Sequence, residues 1–249
     1  QSLGEHNTIA LSIGGTNYVY VLGGQNSSGT NLSAVYKASI DSSANIQAFS
    51  TTSQSQLPQV LYAPSTITQS IGGTDYVYVI GGFNGVANQS AVYKASIDAS
   101  ANINAFSTTS QAQLPQIRRQ HTTIAQSILG TIYVYVLGGN NPTSTSHSTV
   151  YKASIDASAN FNTFSTTGQS QLPQELDQHT TITQAIGGTN YVYVFGGNNG
   201  TTNHSTVYKS QIDGDFYKSE YPNLYDSGSW TGGTFSYFHE ATMRGTGGF

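Results

Sequence analysis

The sequence predicts an all-β protein made of four tandem copies of one unit, and three observations predict it. Tyr18-Val19-Tyr20-Val21-Leu22-Gly23-Gly24 returns from Tyr76, Tyr133 and Tyr191, at offsets of 58, 57 and 58 residues. A fixed period of that size marks a repeat architecture. Val, Ile, Thr and Tyr dominate the segments between clusters of Gly, Asn, Asp and Pro, the composition of strands punctuated by turns. No segment sustains the apolar spacing of a helix.

Each unit is read as four strands. The first runs from Asn7 to Ile13 and ends at Gly14-Gly15; the second runs from Tyr18 to Leu22 and ends at Gly23-Gly24. The third runs from Ala34 to Ile40, and the fourth surrounds Phe49 and ends near Leu57-Pro58. The second strand is apolar or aromatic on both faces, as in a sheet stacked between two others. The third alternates Tyr36, Ala38 and Ile40 against Val35, Lys37 and Ser39, which predicts an exposed strand near a rim. Sheets stacked side by side about an axis form a β-propeller, here of four blades, each a four-stranded antiparallel sheet. The repeats span residues 1–222, with 214–222 as a degenerate last strand. Residues 223–249 have no counterpart in the repeat and read as a C-terminal strand extension, closing the ring or pairing with another subunit.

An apolar strand ending in a double glycine, then Tyr36, then the bulky Phe49, then Leu57-Pro58, resembles the Kelch repeat. His6, His121 and His179 stand where that family often has a His opening the first strand. The unit is longer than the usual roughly 50 residues, and Phe stands where Trp is usual. The resemblance covers residues 1 to about 213 and implies a propeller; it says little about function.

Composition narrows the function. Only 8% of the 249 residues are charged, and the formal net charge is -4 with 8 Lys and Arg. Nucleic acid requires clustered cations, and none are present. No apolar run approaches the roughly 18 residues of a membrane-spanning helix, so no membrane insertion is expected. There is no Cys, which excludes disulfides, thiolate metal sites and a cysteine nucleophile. A surface of Ser, Thr, Asn and Gln points to an extracellular or cell-surface protein.

Recurring polar positions have structural readings. The Gly-Gly pairs end strands and accept positive φ, and no helix follows them as a phosphate loop needs. Lys37, Lys94, Lys152 and Lys209 share one register and are read as solvating an outer face. Asp41, Asp98, Asp156 and Asp213 open Asx-type turns rather than calcium loops. His6, His121 and His179 are expected near one another at a channel mouth, as hydrogen-bonding groups. Pro64 interrupts that set, so no metal and no cofactor are implied.

Comparison between the copies separates scaffold from site. Two segments vary: the loop after the second Gly-Gly, and the link that follows Leu-Pro. In an up-and-down sheet these connections emerge on the same side, so both land on one face, where specificity is carried. Its distinctive members are Tyr62, Phe83, Arg118, Arg119, His147, Glu175, Asp177 and His204. Asn26, Asn31, Asn88, Asn199 and Asn203 begin Asn-x-Ser/Thr sequons in the loops and are the glycosylation candidates. No paired carboxylates or Ser-His-Asp set can be placed, so no enzyme activity is expected. The expected function is recognition or adhesion, with a glycan or cell-surface protein as partner. The alternative is a structural subunit of a filament or sheath, with copies of itself as partner.

Overall fold

The computed structural model describes residues 2–141, 143, 145–212 and 239–241. Among them every regular element is a strand. Each unit contributes three antiparallel strands paired in sequence order. They are Asn7–Ile13, Thr16–Leu22 and Val35–Ile40 in unit one, and Ser65–Ile71, Thr74–Ile80 and Val92–Ile97 in unit two. Unit three has Thr122–Ile128, Thr131–Leu137 and Val150–Ile155; unit four has Thr180–Ile186, Thr189–Phe195 and Val207–Ile212.

The two-residue alternation of these strands gives every sheet two faces. Tyr20 pairs with Ile9 and Lys37, whereas Val21 pairs with Thr8 and Tyr36. Ile9, Tyr20, Leu22 and Val35 form the forward face of unit one and pack on Val77, Val79, Tyr93 and Ala95, the backward face of unit two. The same seam recurs between units two and three and between units three and four. The core is thus three apolar layers between stacked sheets. Tyr78, Val79, Tyr135 and Val136 of the middle units are at most 1% exposed because both sides of their strands are covered.

Hydrogen bonds lock the seams. Tyr20 Oη donates to Ala101 O and Tyr78 Oη to Ala159 O, each at 2.8 Å. Lys37 Nζ donates to Asn102 Oδ1 and Lys94 Nζ to Asn160 Oδ1, each at 2.7 Å. Lys37 and Lys94 therefore staple units one and two, each to the turn of the next, correcting for these two the expectation that the lysines only solvate an outer face. The turns at Asp41, Asp98 and Asp156 form as the sequence indicates, and Asp213 lies outside the described residues: Asp98 Oδ1 accepts from Ser100 N at 2.9 Å and Asn102 N at 2.8 Å.

The expected fourth strand is absent as a ladder. Lys37 bridges Ser50 and Ile40 bridges Ile46, and units two and three repeat the pattern. Four steps of chain between Ile46 and Ser50 face three between Lys37 and Ile40. The extra residue is a bulge, which breaks the pairing into isolated bridges. In unit four, His239–Ala241 pairs with Val207–Lys209 and sets His239 opposite Lys209, the place Ser50 holds opposite Lys37. The expected strand at 214–222 lies outside the described residues.

First strands of successive units lie side by side, yet those of units one and four make no contact. The described sheets form a series of antiparallel sheets in which no ring closes among the described residues.

Candidate functional site

The double glycines bring the two variable segments together. Gly139 has φ +86°, and a Cβ there would stand 2.6 Å from His121 Cβ and 2.8 Å from Arg119 O. Only glycine permits both that backbone and that approach. The chain then pairs loop to link: Phe83 bridges Tyr62, Asn140 bridges Arg119, and Asn198 bridges Asp177. Gln89 bridges Arg118 and His147 bridges Leu176, so each link is held by the loops on both sides. Both variable segments therefore share one face.

At the inner end of the links, Glu5, Ala63, Gln120 and Gln178 have φ between +48° and +56°. This left-handed conformation costs a non-glycine residue about 1–2 kcal/mol. It is held by a relay of backbone bonds: Ala63 N donates to Glu5 O at 2.9 Å, Gln120 N to Ala63 O at 3.1 Å, and Gln178 N to Gln120 O at 3.0 Å. Beside them a hollow of about 450 Å³ is lined by the first-strand starts of all four units.

The side chains on the rim form one shelf and one network. The Arg119 guanidinium lies 5.2 Å from the Phe83 ring centre and 6.0 Å from that of Tyr62. All three side chains are half-buried. Burial, and then the Glu5 carboxylate, raise the Tyr62 pKa, so its hydroxyl stays a donor. Arg119 Nε donates to Asn140 Oδ1 at 3.1 Å. Asn140 Nδ2 donates to Gln120 Oε1 at 2.7 Å and Asp177 Oδ2 at 3.2 Å, and Ser146 Oγ donates to Asp177 Oδ2 at 2.8 Å. The rim thus joins an aromatic shelf to amides and a carboxylate.

The remaining expected site residues are spread through and beneath the face. Arg118 is fully buried below it; Nη2 donates to Gln116 Oε1 at 2.9 Å and Tyr151 Oη at 3.4 Å. Asp177 is also buried, its Oδ1 without a partner among the described residues. Glu175 is exposed, while His147 and His204 are half-buried. Sequence reasoning did not single out Asn140, Gln120 or Ser146. Asn140 shares the register of Phe83, which was the available signal.

His6, His121 and His179 all line the hollow, near one another as expected. His6 is exposed, whereas His121 and His179 are buried. Burial lowers the His121 pKa to about 3, with Arg118 adding to the effect, and lowers that of His179 to about 4. Both rings are neutral at pH 7, and His179 Nε2 meets Thr122 Oγ1 at 2.9 Å. No group of three His, Cys, Asp or Glu able to hold a metal occurs among the described residues. Among the sequon asparagines, Asn88 is buried and its Nδ2, the atom that would carry a glycan, donates to Asn140 O. Asn26, Asn31, Asn199 and Asn203 are half-buried or exposed.

The chain matches no protein-family model and no curated protein.

Proposed function

We propose that the chain is a non-enzymatic recognition module of the β-propeller type, built from Kelch-like units and working outside the cell or at its surface. Its ligand is a neutral polar molecule, a glycan above all, read on the link–loop face. The observation that carries this reading is the shelf of Tyr62, Phe83 and Arg119 joined to the Asn140–Asp177 network beside the hollow. An aromatic face offers a sugar ring an apolar contact, and amides and carboxylates offer the directional hydrogen bonds that fix its hydroxyls. Such sites sit on connectors held by a rigid scaffold.

The test is a glycan array followed by calorimetry on the best binder. Phe83→Ala and Arg119→Ala are each expected to weaken binding about tenfold or more, as loss of a central aromatic or arginine contact does. Leu129→Ser, at the opposite end of the sheets, should leave affinity unchanged. Binding to no glycan, or equal effects of all three substitutions, would rule the reading out.

A further inference from the structure

Two sheet faces at the ends of the described series lack, among the described residues, the partner face that the three seams supply elsewhere. On the forward face of unit four, Ile182 and Ile186 are 52% and 51% exposed, where Ile124 and Ile128 of unit three are 7% and 8% exposed under the next sheet. Tyr193 and Phe195 beside them are half-buried, whereas Tyr135 and Leu137 are fully buried. On the backward face of unit one, Ile46 and Phe49 are 55% and 46% exposed. Their counterparts in unit three, Phe161 and Phe164, are 3% and 4% exposed against unit two. Val21 and Tyr36 are likewise less covered than Val194 and Tyr208.

The polar contacts stop at the same two ends. The backbone relay through Ala63, Gln120 and Gln178 leaves Gln178 O and Glu5 N without backbone partners among the described residues. The Asp41–Asn45 turn of unit one receives no tyrosine hydroxyl or lysine among the described residues, whereas the corresponding turn of unit two receives them from Tyr20 and Lys37. Exposed apolar patches of this kind mark association surfaces, and here the three internal seams show what covers them.

We propose that a second copy of this chain completes the seam: unit four of one copy packs on unit one of the next, head to tail. Tyr193 Oη then reaches Ala44 O of the next copy, as Tyr20 Oη reaches Ala101 O, and Lys209 reaches Asn45 as Lys37 reaches Asn102. The contact joins two different surfaces, so it makes a closed ring if the rotation returns on itself and a fibre if it does not. It uses the sheet faces and not the link–loop rim, so it stands or falls separately from ligand binding.

Sedimentation of the whole 249-residue chain over a roughly hundredfold concentration range tests this. Assemblies larger than the monomer are expected. Ile182→Asp and Phe49→Asp, at exposed positions, should each give monomers with unchanged far-ultraviolet circular dichroism. Mixing the two variants should then restore a dimer and nothing larger, because one intact forward face and one intact backward face remain. A chain that stays monomeric throughout, or assemblies that survive both substitutions, would overturn the proposal. Failure of the mixture to dimerise would overturn it too.

Discussion

Arg118 stands in the register of Leu3, Leu61 and Leu176, and like Leu61 and Leu176 it is fully buried. Its Nε and Nη1 have no partner among the described residues, and its guanidinium lies 5.7 Å from the Tyr151 ring centre. Taking a guanidinium out of water with donors unpaired costs several kcal/mol, and apolar replacements of buried charges are often stabilising by about 1–4 kcal/mol. Arg118→Leu is therefore expected to raise stability by an amount in that range, read as a higher denaturation midpoint; a lower midpoint would contradict this account. The sequence reading set Arg118 on the open face because it is charged and lies in a variable segment. The repeat register carried the opposite signal, three leucines at the same step. Asp177 gave no such warning: its register holds Gly4, Tyr62 and Arg119, and its burial follows from contacts with Asn140 and Ser146 that lie 37 and 31 residues away.

The hairpin between the first and second strands is set by two residues of positive φ. Gly14-Gly15, Gly72-Gly73 and Gly187-Gly188 meet that demand, but unit three has Leu129-Gly130, with Leu129 at φ +49° and 82% exposed. A leucine there has left-handed strain and no compensating burial. Leu129→Gly should raise stability by about 1 kcal/mol, read as a shift in thermal midpoint at unchanged binding. The first three strands of each unit were legible because alternation and glycine punctuation are local. The fourth was not. Phe49 and its counterparts have the composition of a strand, yet the single extra step before Ser50 becomes a bulge only when the neighbouring strand is in place.

Across the molecule, His121 and His179 lie in successive seams, so their titration bears on how the units hold together. Burial holds both neutral in the fold, at pKa about 3 and about 4, against an ordinary 6.5. The unfolded chain therefore takes up protons that the fold refuses as pH falls below 6.5. Stability is complete above that pH and declines below it, by about 2 kcal/mol per histidine at pH 5. Thermal midpoints should drop between pH 7.5 and 5, and His121→Gln should flatten the curve; a flat wild-type profile would contradict the burial of both rings. The Asp41 and Asp98 carboxyls, held low chiefly by the Asn45 and Asn102 amides, act only below their ordinary 3.8 and do not enter this window. At this scale the stacking of sheets and the meeting of loop and link were legible, because both follow from strand order. The open ends were not, since every unit has nearly the same residues whether or not a neighbour covers it.

That near-identity has a genetic consequence. Recombination between two copies, in register, would delete or duplicate one whole 57- or 58-residue period and bring together surfaces that already fit. Lineages of this gene should differ by whole periods more readily than by partial ones. The connectors at the rim would be reshuffled each time, while the layers between the sheets stayed intact.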